Sequence, residues 1–220
     1  MEFHQLESQL PAEVGISIVT VGSSPVSYGT WSSGVAWSTI KVPLAIAALR
    51  AGPDDSGLVF ATITQSDNAA AEQLWTLLGD PADAARQVQA VIREAGDVTT
   101  EVESRRLRAE YTAFGQTRWS LADQARFAAG CAHVRDASPV VELMGELTAD
   151  HRWGLAAKSF AAKGGWGPGV HGGYLVRQFA MVSDTVGVAL AAEVHDGGYQ
   201  AGVDVVNRLA DWCVDRLAQE

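Results

Sequence analysis

The spacing of apolar residues changes character along the chain, and each change predicts an element. Phe3, Leu6 and Leu10 fall at helical spacing between Glu2 and Leu10, so the chain opens on a short amphipathic helix that Pro11 closes. Two strand-like runs follow, Gly15–Val21 and Pro25–Trp31, joined by the turn residues Gly22, Ser23 and Ser24. From Trp37 to Leu49 the residues are mostly apolar, with Pro43 in the early part, which predicts a buried helix ended by Ala51-Gly52-Pro53-Asp54-Asp55. A near-apolar run, Leu58–Ile63, leads to helical patterns at Asn68–Leu78 and Pro81–Ala95. Val98–Thr117 is polar and weakly periodic and reads as a long ordered loop.

Ser120 is placed to cap a further helix running to about Ala132, with Asp123 in the capping-box position. After Lys163 the period becomes two: Gly173–Ser183 and Val186–Val194 read as hairpin partners, and Gly202–Ala218 as a closing amphipathic helix. Strands at both chain ends with helices between them predict an α/β (α+β) fold. The terminal segments build one antiparallel sheet flanked by terminal helices, beside an all-helical lobe. One domain of 220 residues is expected, with an α/β lobe of approximately 1–36 and 155–220 and a helical lobe of approximately 37–154. A cleft between the lobes is the natural ligand site.

Composition limits the partners. At 47% hydrophobic and 19% charged the chain can bury a sizeable core, and a net charge of −10 gives no basic footprint for nucleic acid. The longest apolar runs, such as Val42–Leu49 and Val186–Ala192, fall short of the ~18 residues of a membrane span. The N-terminal Met1-Glu2-Phe3-His4 segment lacks a basic-then-apolar signal peptide, so the expectation is either a chain that stays inside or one whose leader ended before Met1. Cys131 and Cys213 stand 82 positions apart without a CxxC, which points to two buried thiols or a single bridge rather than a zinc site. The histidines, His4, His133, His151, His171 and His195, show no metal-binding spacing. No metal or cofactor is assigned. His133 is expected to end a helix and His151, beside Arg152-Trp153-Gly154, to pack near the cleft. Only Lys41, Lys158 and Lys163 among the sixteen Lys and Arg residues are lysines, which directs attention to what each of them does.

Three short motifs carry candidate chemistry. Ser38-Thr39-Ile40-Lys41 puts a hydroxyl and an amine three residues apart at a helix start. An amine in a poor dielectric loses its proton readily and can activate a serine, and the helix N-terminus offers N–H groups to an oxyanion. The alternative is a helix-capping serine with a solvated lysine. Ser66-Asp67-Asn68 precedes a helix: its hydroxyl can relay a proton and its amide can hold a carbonyl, or the tripeptide is a plain cap. Lys163-Gly164-Gly165-Trp166 lets a ligand approach the backbone of an edge strand beside a cation, or is a Gly-rich turn.

In this order, with flanks such as TITQSDNAAAEQLWTLLG, HRWGL, KGGWG and VRQFAMV, the motifs resemble the serine penicillin-recognising family of class A β-lactamases and D,D-peptidases. The resemblance extends over nearly the whole chain. It implies Ser38 as the acylated nucleophile, Lys41 as its base, Ser66 as proton relay and Asn68 as a substrate-positioning amide. Lys163 would supply positive potential, and the N–H groups of Ser38 and Trp166, behind Gly165, would form the oxyanion hole. Arg177 would bind a substrate carboxylate. An extracytoplasmic or secreted location is also implied.

The chain departs from the family in three places. Only 28 positions separate Ser38 from Ser66, so the segment overhanging the cleft is shortened. Gly164 replaces a Thr or Ser. The loop before Ser120 has no E-x-x-x-N element, and Glu110, in Arg108-Ala109-Glu110-Tyr111, is the candidate general base for deacylation. The expected function is a serine hydrolase that acylates on a β-lactam or peptidoglycan-like amide and deacylates slowly. The alternatives are a D,D-peptidase or esterase, and a degenerate module that binds peptidoglycan or a partner.

Overall fold

The two ends of the chain meet in one sheet because β1 (Ala12–Thr20) pairs antiparallel with β7 (Val186–Val194), Ala12 opposite Val194 through Thr20 opposite Val186. In the computed structural model, which describes residues 1–53, 56–170 and 172–218, five strands run in the order β2-β1-β7-β6-β5. β2 is Val26–Gly29, β5 is Ala161–Pro168 and β6 is Tyr174–Met181. β5 is an edge strand, and its partner β6 stands Phe179 opposite Lys163 and Arg177 opposite Gly165. β6 and β7 are buried along almost their whole length, as strands covered on both faces must be.

One face of the sheet packs on α1 (Phe3–Glu7) and α8 (Gly198–Leu217), where Val14, Ile16, Val188 and Leu190 meet Phe3, Leu6, Val206 and Leu209. The other face packs on α6 (Leu121–Gly130). This helix lies on the sheet although it falls within the stretch expected as the helical lobe. Gly187 makes that closeness possible: a Cβ there would stand 2.3 Å from the Ala125 carbonyl oxygen. The remaining helices are α2 (Lys41–Ala51), α3 (Leu58–Thr64), α4 (Asn68–Leu77), α5 (Pro81–Glu94) and α7 (Ser138–Met144), and they pack on one another.

The caps follow the sequence logic. Asp80 accepts from the N–H groups of Ala82 and Asp83, both at 2.9 Å, ahead of Pro81 in the first turn of α5. Ser120 accepts from the Asp123 N–H at 3.0 Å and donates its hydroxyl to the Asp123 carboxylate at 2.7 Å. The 98–117 stretch is a loop with one 3-10 turn, Phe114–Gln116. Two buried side chains hold it. The Asp97 carboxylate accepts from the Thr99 and Thr100 N–H groups and the Trp119 indole, and the Gln116 amide bonds Arg108 through both its N–H and its carbonyl.

Several features differ from the sequence expectation. The predicted helix from Trp37 divides into a 3-10 turn, Trp37–Ile40, and α2 beginning at Lys41. Leu58–Ile63 forms most of α3, and α7 and a two-stranded ribbon of β3 (Ser33–Val35) with β4 (Arg118–Ser120) are additional. All are too short to show a period. Cys131 and Cys213 are free and buried in different clusters, and burial pushes the Cys131 thiol up to about 12. Among the described residues no helix is long and apolar enough to cross a membrane. Asp54 and Asp55 of the predicted breaker, and His171, lie outside the described residues.

Candidate active site

Ser38 sits in the 3-10 turn immediately before α2, half-buried, on a backbone that is forced at its neighbour: Trp37 has φ 50°. A left-handed tryptophan costs about 1–3 kcal/mol and persists only where its surroundings impose it. Those surroundings are visible. The Trp37 ring lies on the backbone of β5, where a Cβ at Gly167 would be 2.5 Å from it, and stands 4.9 Å edge-on from the Tyr111 ring. The turn is also tied from beneath. Thr39 Oγ1 donates to Ala36 O at 2.6 Å and accepts from Gln124 Nε2 at 2.8 Å.

Ser66 is the second forced residue, with φ 54° between α3 and α4. The capping role belongs to Asp67, whose carboxylate accepts the Ala70 N–H at 2.7 Å. Ser66 and Asn68 are thereby released to the lysines. Lys41 Nζ donates to Ser66 O at 2.5 Å, to Asn68 Oδ1 at 2.7 Å and to Ser66 Oγ at 3.4 Å. Lys163 Nζ reaches the same Ser66 Oγ at 2.8 Å and Gly164 O at 3.1 Å. Among the described residues no side-chain hydrogen bond reaches the Ser38 hydroxyl.

Two of the three lysines are thus almost inaccessible, Lys41 at 1% and Lys163 at 2% exposure. Burial lowers the Lys41 pKa from 10.5 to about 7, opposed by the Asp67 charge. Burial, and after it the charge of Lys41, holds Lys163 well below the ordinary lysine range. Two ammonium groups sharing one hydroxyl do not both stay charged easily. The third lysine, Lys158, pairs with Asp211 at 2.5 Å on the surface.

β5 closes the site on its other side. Gly165 has no room for a side chain: its Cβ would lie 2.8 Å from Ser38 N and 2.9 Å from Ala36 O. The strand backbone therefore runs directly beside the Ser38 N–H, with Trp166 next along it. Gly164 faces the opposite side of the sheet, where a Cβ would be 2.5 Å from the Trp153 ring. The absent hydroxyl at this position is thus explained by an indole that occupies its space. Trp166 joins an aromatic group on that side, 5.2 Å from the His151 ring, 6.2 Å from Trp153 and 5.0 Å from Tyr199. His151 does pack beside the cleft, and burial, followed by the charge of Lys163, lowers its pKa below 6.5.

Ser38, Lys41, Ser66, Asn68 and Trp166 line one cleft of about 540 Å³ with Glu110 at its exposed edge, and Lys163 and Gly165 adjoin it. Arg177 is elsewhere, which corrects its expected place as a carboxylate ligand. It is wholly buried, with Nη1 donating to Gly34 O, Val35 O and Trp119 O at 3.1 Å each and Nη2 to Gln124 Oε1 at 2.9 Å. Its guanidinium carbon lies 5.3 Å over the Trp31 ring. Burial lowers its pKa to about 9, so it stays charged at neutral pH.

The backbone arrangement matches solved structures over nearly its full length. An engineered variant of the class A β-lactamase of the last common ancestor of Gram-negative bacteria superposes with a TM-score of 0.72 at 19% identity, over 99% of this chain and 97% of that one. The chain has the class A β-lactamase fold. The ancestral enzyme itself gives a TM-score of 0.69 at 18% identity, covering 97% of each chain. A β-lactamase from Xanthomonas campestris pv. campestris gives 0.69 at 16%, over 97% of this chain and 95% of that one. No family model matches the sequence, and no curated protein matches it. Within this β-lactamase fold, sequence reasoning did not single out Trp37, Glu72, Arg106, Tyr111 and Tyr174 as cleft residues, nor Thr39 and Gln124 beneath the turn. Trp37 and Thr39 had a signal in their place beside and within the Ser38 motif, and Tyr111 in following Glu110.

Proposed function

We propose that the chain is a serine acyl-transfer enzyme that forms an acyl-enzyme on Ser38 and hydrolyses it slowly. The observation that carries this reading is the pair of buried lysines meeting at the Ser66 hydroxyl, with Lys41 three residues after Ser38 at the start of α2. A lysine with a pKa of about 7 is half neutral at working pH and can accept the Ser38 proton as Oγ attacks a carbonyl. Ser66 Oγ accepts from both amines, which leaves its own proton free to pass to the leaving group. Asn68 holds Lys41 and orients the acyl donor. The N–H groups of Ser38 and Trp166 receive the oxyanion, on the strand that Gly165 brings against the nucleophile turn.

Deacylation needs a positioned water. Glu110 is the carboxylate the cleft offers for it, but it is exposed on the loop edge, and Glu72, also in the cleft, is paired with Arg106 at 2.6 Å. A water beside a solvated carboxylate is poorly organised, so the acyl-enzyme persists. A penicillin-recognising peptidase or an esterase shares this first step. A binding module without turnover is disfavoured by two lysines buried at the cost of desolvation, for which a binding role gives no reason.

The test is intact-mass spectrometry after mixing with β-lactams and with a neutral activated ester. A covalent adduct that is absent in Ser38→Ala supports the reading, and no adduct from any donor overturns it.

A further inference from the structure

Trp37, Tyr111 and Tyr174 give the cleft an aromatic wall, and Arg108 is built into the back of that wall rather than lining the cleft itself. Its guanidinium carbon lies 5.0 Å over the Trp37 ring and 4.6 Å over the Tyr111 ring, and the two rings meet edge-on at 4.9 Å. Nη1 donates to Pro168 O, at the end of β5, at 3.2 Å. Nη2 is buried without a hydrogen-bond partner, and no carboxylate pairs with Arg108 among the described residues. This guanidinium has exchanged acceptors for ring faces, the reverse of Arg177 with its four acceptors.

What the stack holds is the residue before the nucleophile. Trp37 is 8% exposed, has φ 50°, and keeps its indole N–H buried without a hydrogen-bond partner. A left-handed backbone and an orphaned donor are two costs on one residue, and no polar contact of the indole offsets either. Packing does. Arg108 and Tyr111 press on the ring, and the β5 backbone lies against it, where a Cβ at Gly167 would be 2.5 Å away. Arg108 and Tyr111 come from one loop segment that the buried Gln116 fixes: its Oε1 accepts from Arg108 N at 2.7 Å, and its Nε2 donates to Arg108 O at 3.1 Å and Thr112 O at 3.2 Å. Arg108 thus joins the loop, the nucleophile turn and the end of β5 at one point.

We propose that Arg108 is a positioning residue for acylation: its cation holds the Trp37 ring, and through it the left-handed backbone that sets Ser38 against β5. The inference rests on the Ser38 reading and deepens it by giving the loop a part in forming the acyl-enzyme. A desolvated cation over a ring corresponds to roughly 30-fold in an equilibrium constant. Without that contact the fraction of molecules with Ser38 in place falls, and acylation at saturating donor slows with it.

The test measures Ser38 acylation against donor concentration, with benzylpenicillin and with p-nitrophenyl acetate. Arg108→Met keeps the stem and removes the cation; it is expected to lower the saturating rate ~10-fold or more while the half-saturating concentration stays within about 3-fold. Arg108→Lys puts a cation back over the rings and is expected to acylate at least about 3-fold faster than Arg108→Met. In a Trp37→Gly chain, where φ 50° carries no strain, Arg108→Met is expected to slow acylation less than about 3-fold further. If Arg108→Met does not fold, Tyr111→Leu, which takes the second ring from the same stack, must show the same fall in saturating rate. A wild-type saturating rate in Arg108→Met, a lysine variant no faster than the methionine variant, or an undiminished effect in the Trp37→Gly chain overturns the inference and leaves the serine reading standing. No adduct on the wild-type chain from either donor overturns the serine reading itself.

Discussion

Arg177 and Lys163 stand on adjacent strands of one sheet and are both buried, yet their surroundings supply the charge with very different numbers of acceptors. Arg177 meets four acceptors, three of them backbone carbonyls, in a fork that suits a fixed cation. Lys163 has one hydroxyl and one carbonyl, and a second lysine bonded to that hydroxyl. Burial lowers both pKa values, but the first arrangement still keeps its cation charged at neutral pH, with a pKa of about 9, and the second adds a like charge that loosens the proton further. A buried cation rich in acceptors is scaffold, and one poor in acceptors beside a like charge is equipped for proton transfer. The scaffold also serves the chemistry, because the Arg177–Gln124–Thr39 chain ends on Ala36, two residues before Ser38.

Substitutions on each side break the contrast differently. Lys41→Arg keeps the charge but cannot release a proton, so the Ser38 acylation rate measured by stopped flow is expected to fall ~10²–10⁴-fold while the fold survives. Arg177→Met leaves the Gly34, Val35 and Trp119 carbonyls and Gln124 without their donor, and urea unfolding is expected to show a loss of about 3–5 kcal/mol. Gly165→Ala drives a methyl against Ser38 N and Ala36 O, so β5 and the nucleophile turn must separate. A loss of about 1–3 kcal/mol in stability is expected, with acylation slowed ~10-fold or more. The smallest effect belongs to Glu110→Gln. Because Glu110 is exposed, adduct lifetime by mass spectrometry is expected to lengthen less than about 10-fold, and lengthening of ~10² or more would make Glu110 a full general base.

The sheet and the long helices were legible because period and caps are local: β7, α5 and the Ser120 cap stand within a residue or two of their expected bounds. The meeting of Lys41, Ser66, Asn68 and Lys163 was legible through motif order, which stands in for hydrogen bonds that span up to 97 positions. What Arg177 does was not legible. Its strand position was expected, but a long side chain finds its partners in three dimensions, and those lie 53 to 143 positions away. The same holds for Gly164, whose reason is a tryptophan from another segment, and for the aromatic wall, which Tyr111 and Tyr174 build from separate loops and strands.

The central claim, that Lys41 works as a neutral amine in a buried two-lysine centre, is tested most directly by the pH dependence of the acylation of Ser38. The neutral fraction of a group with a pKa of about 7 grows as pH rises through that value. The account predicts an acylation rate that climbs with a midpoint near about pH 7, levels off about one unit above it, and loses this step in Lys41→Arg. A rate that stays flat between about pH 6 and about pH 9, or an unchanged profile in Lys41→Arg, would contradict it.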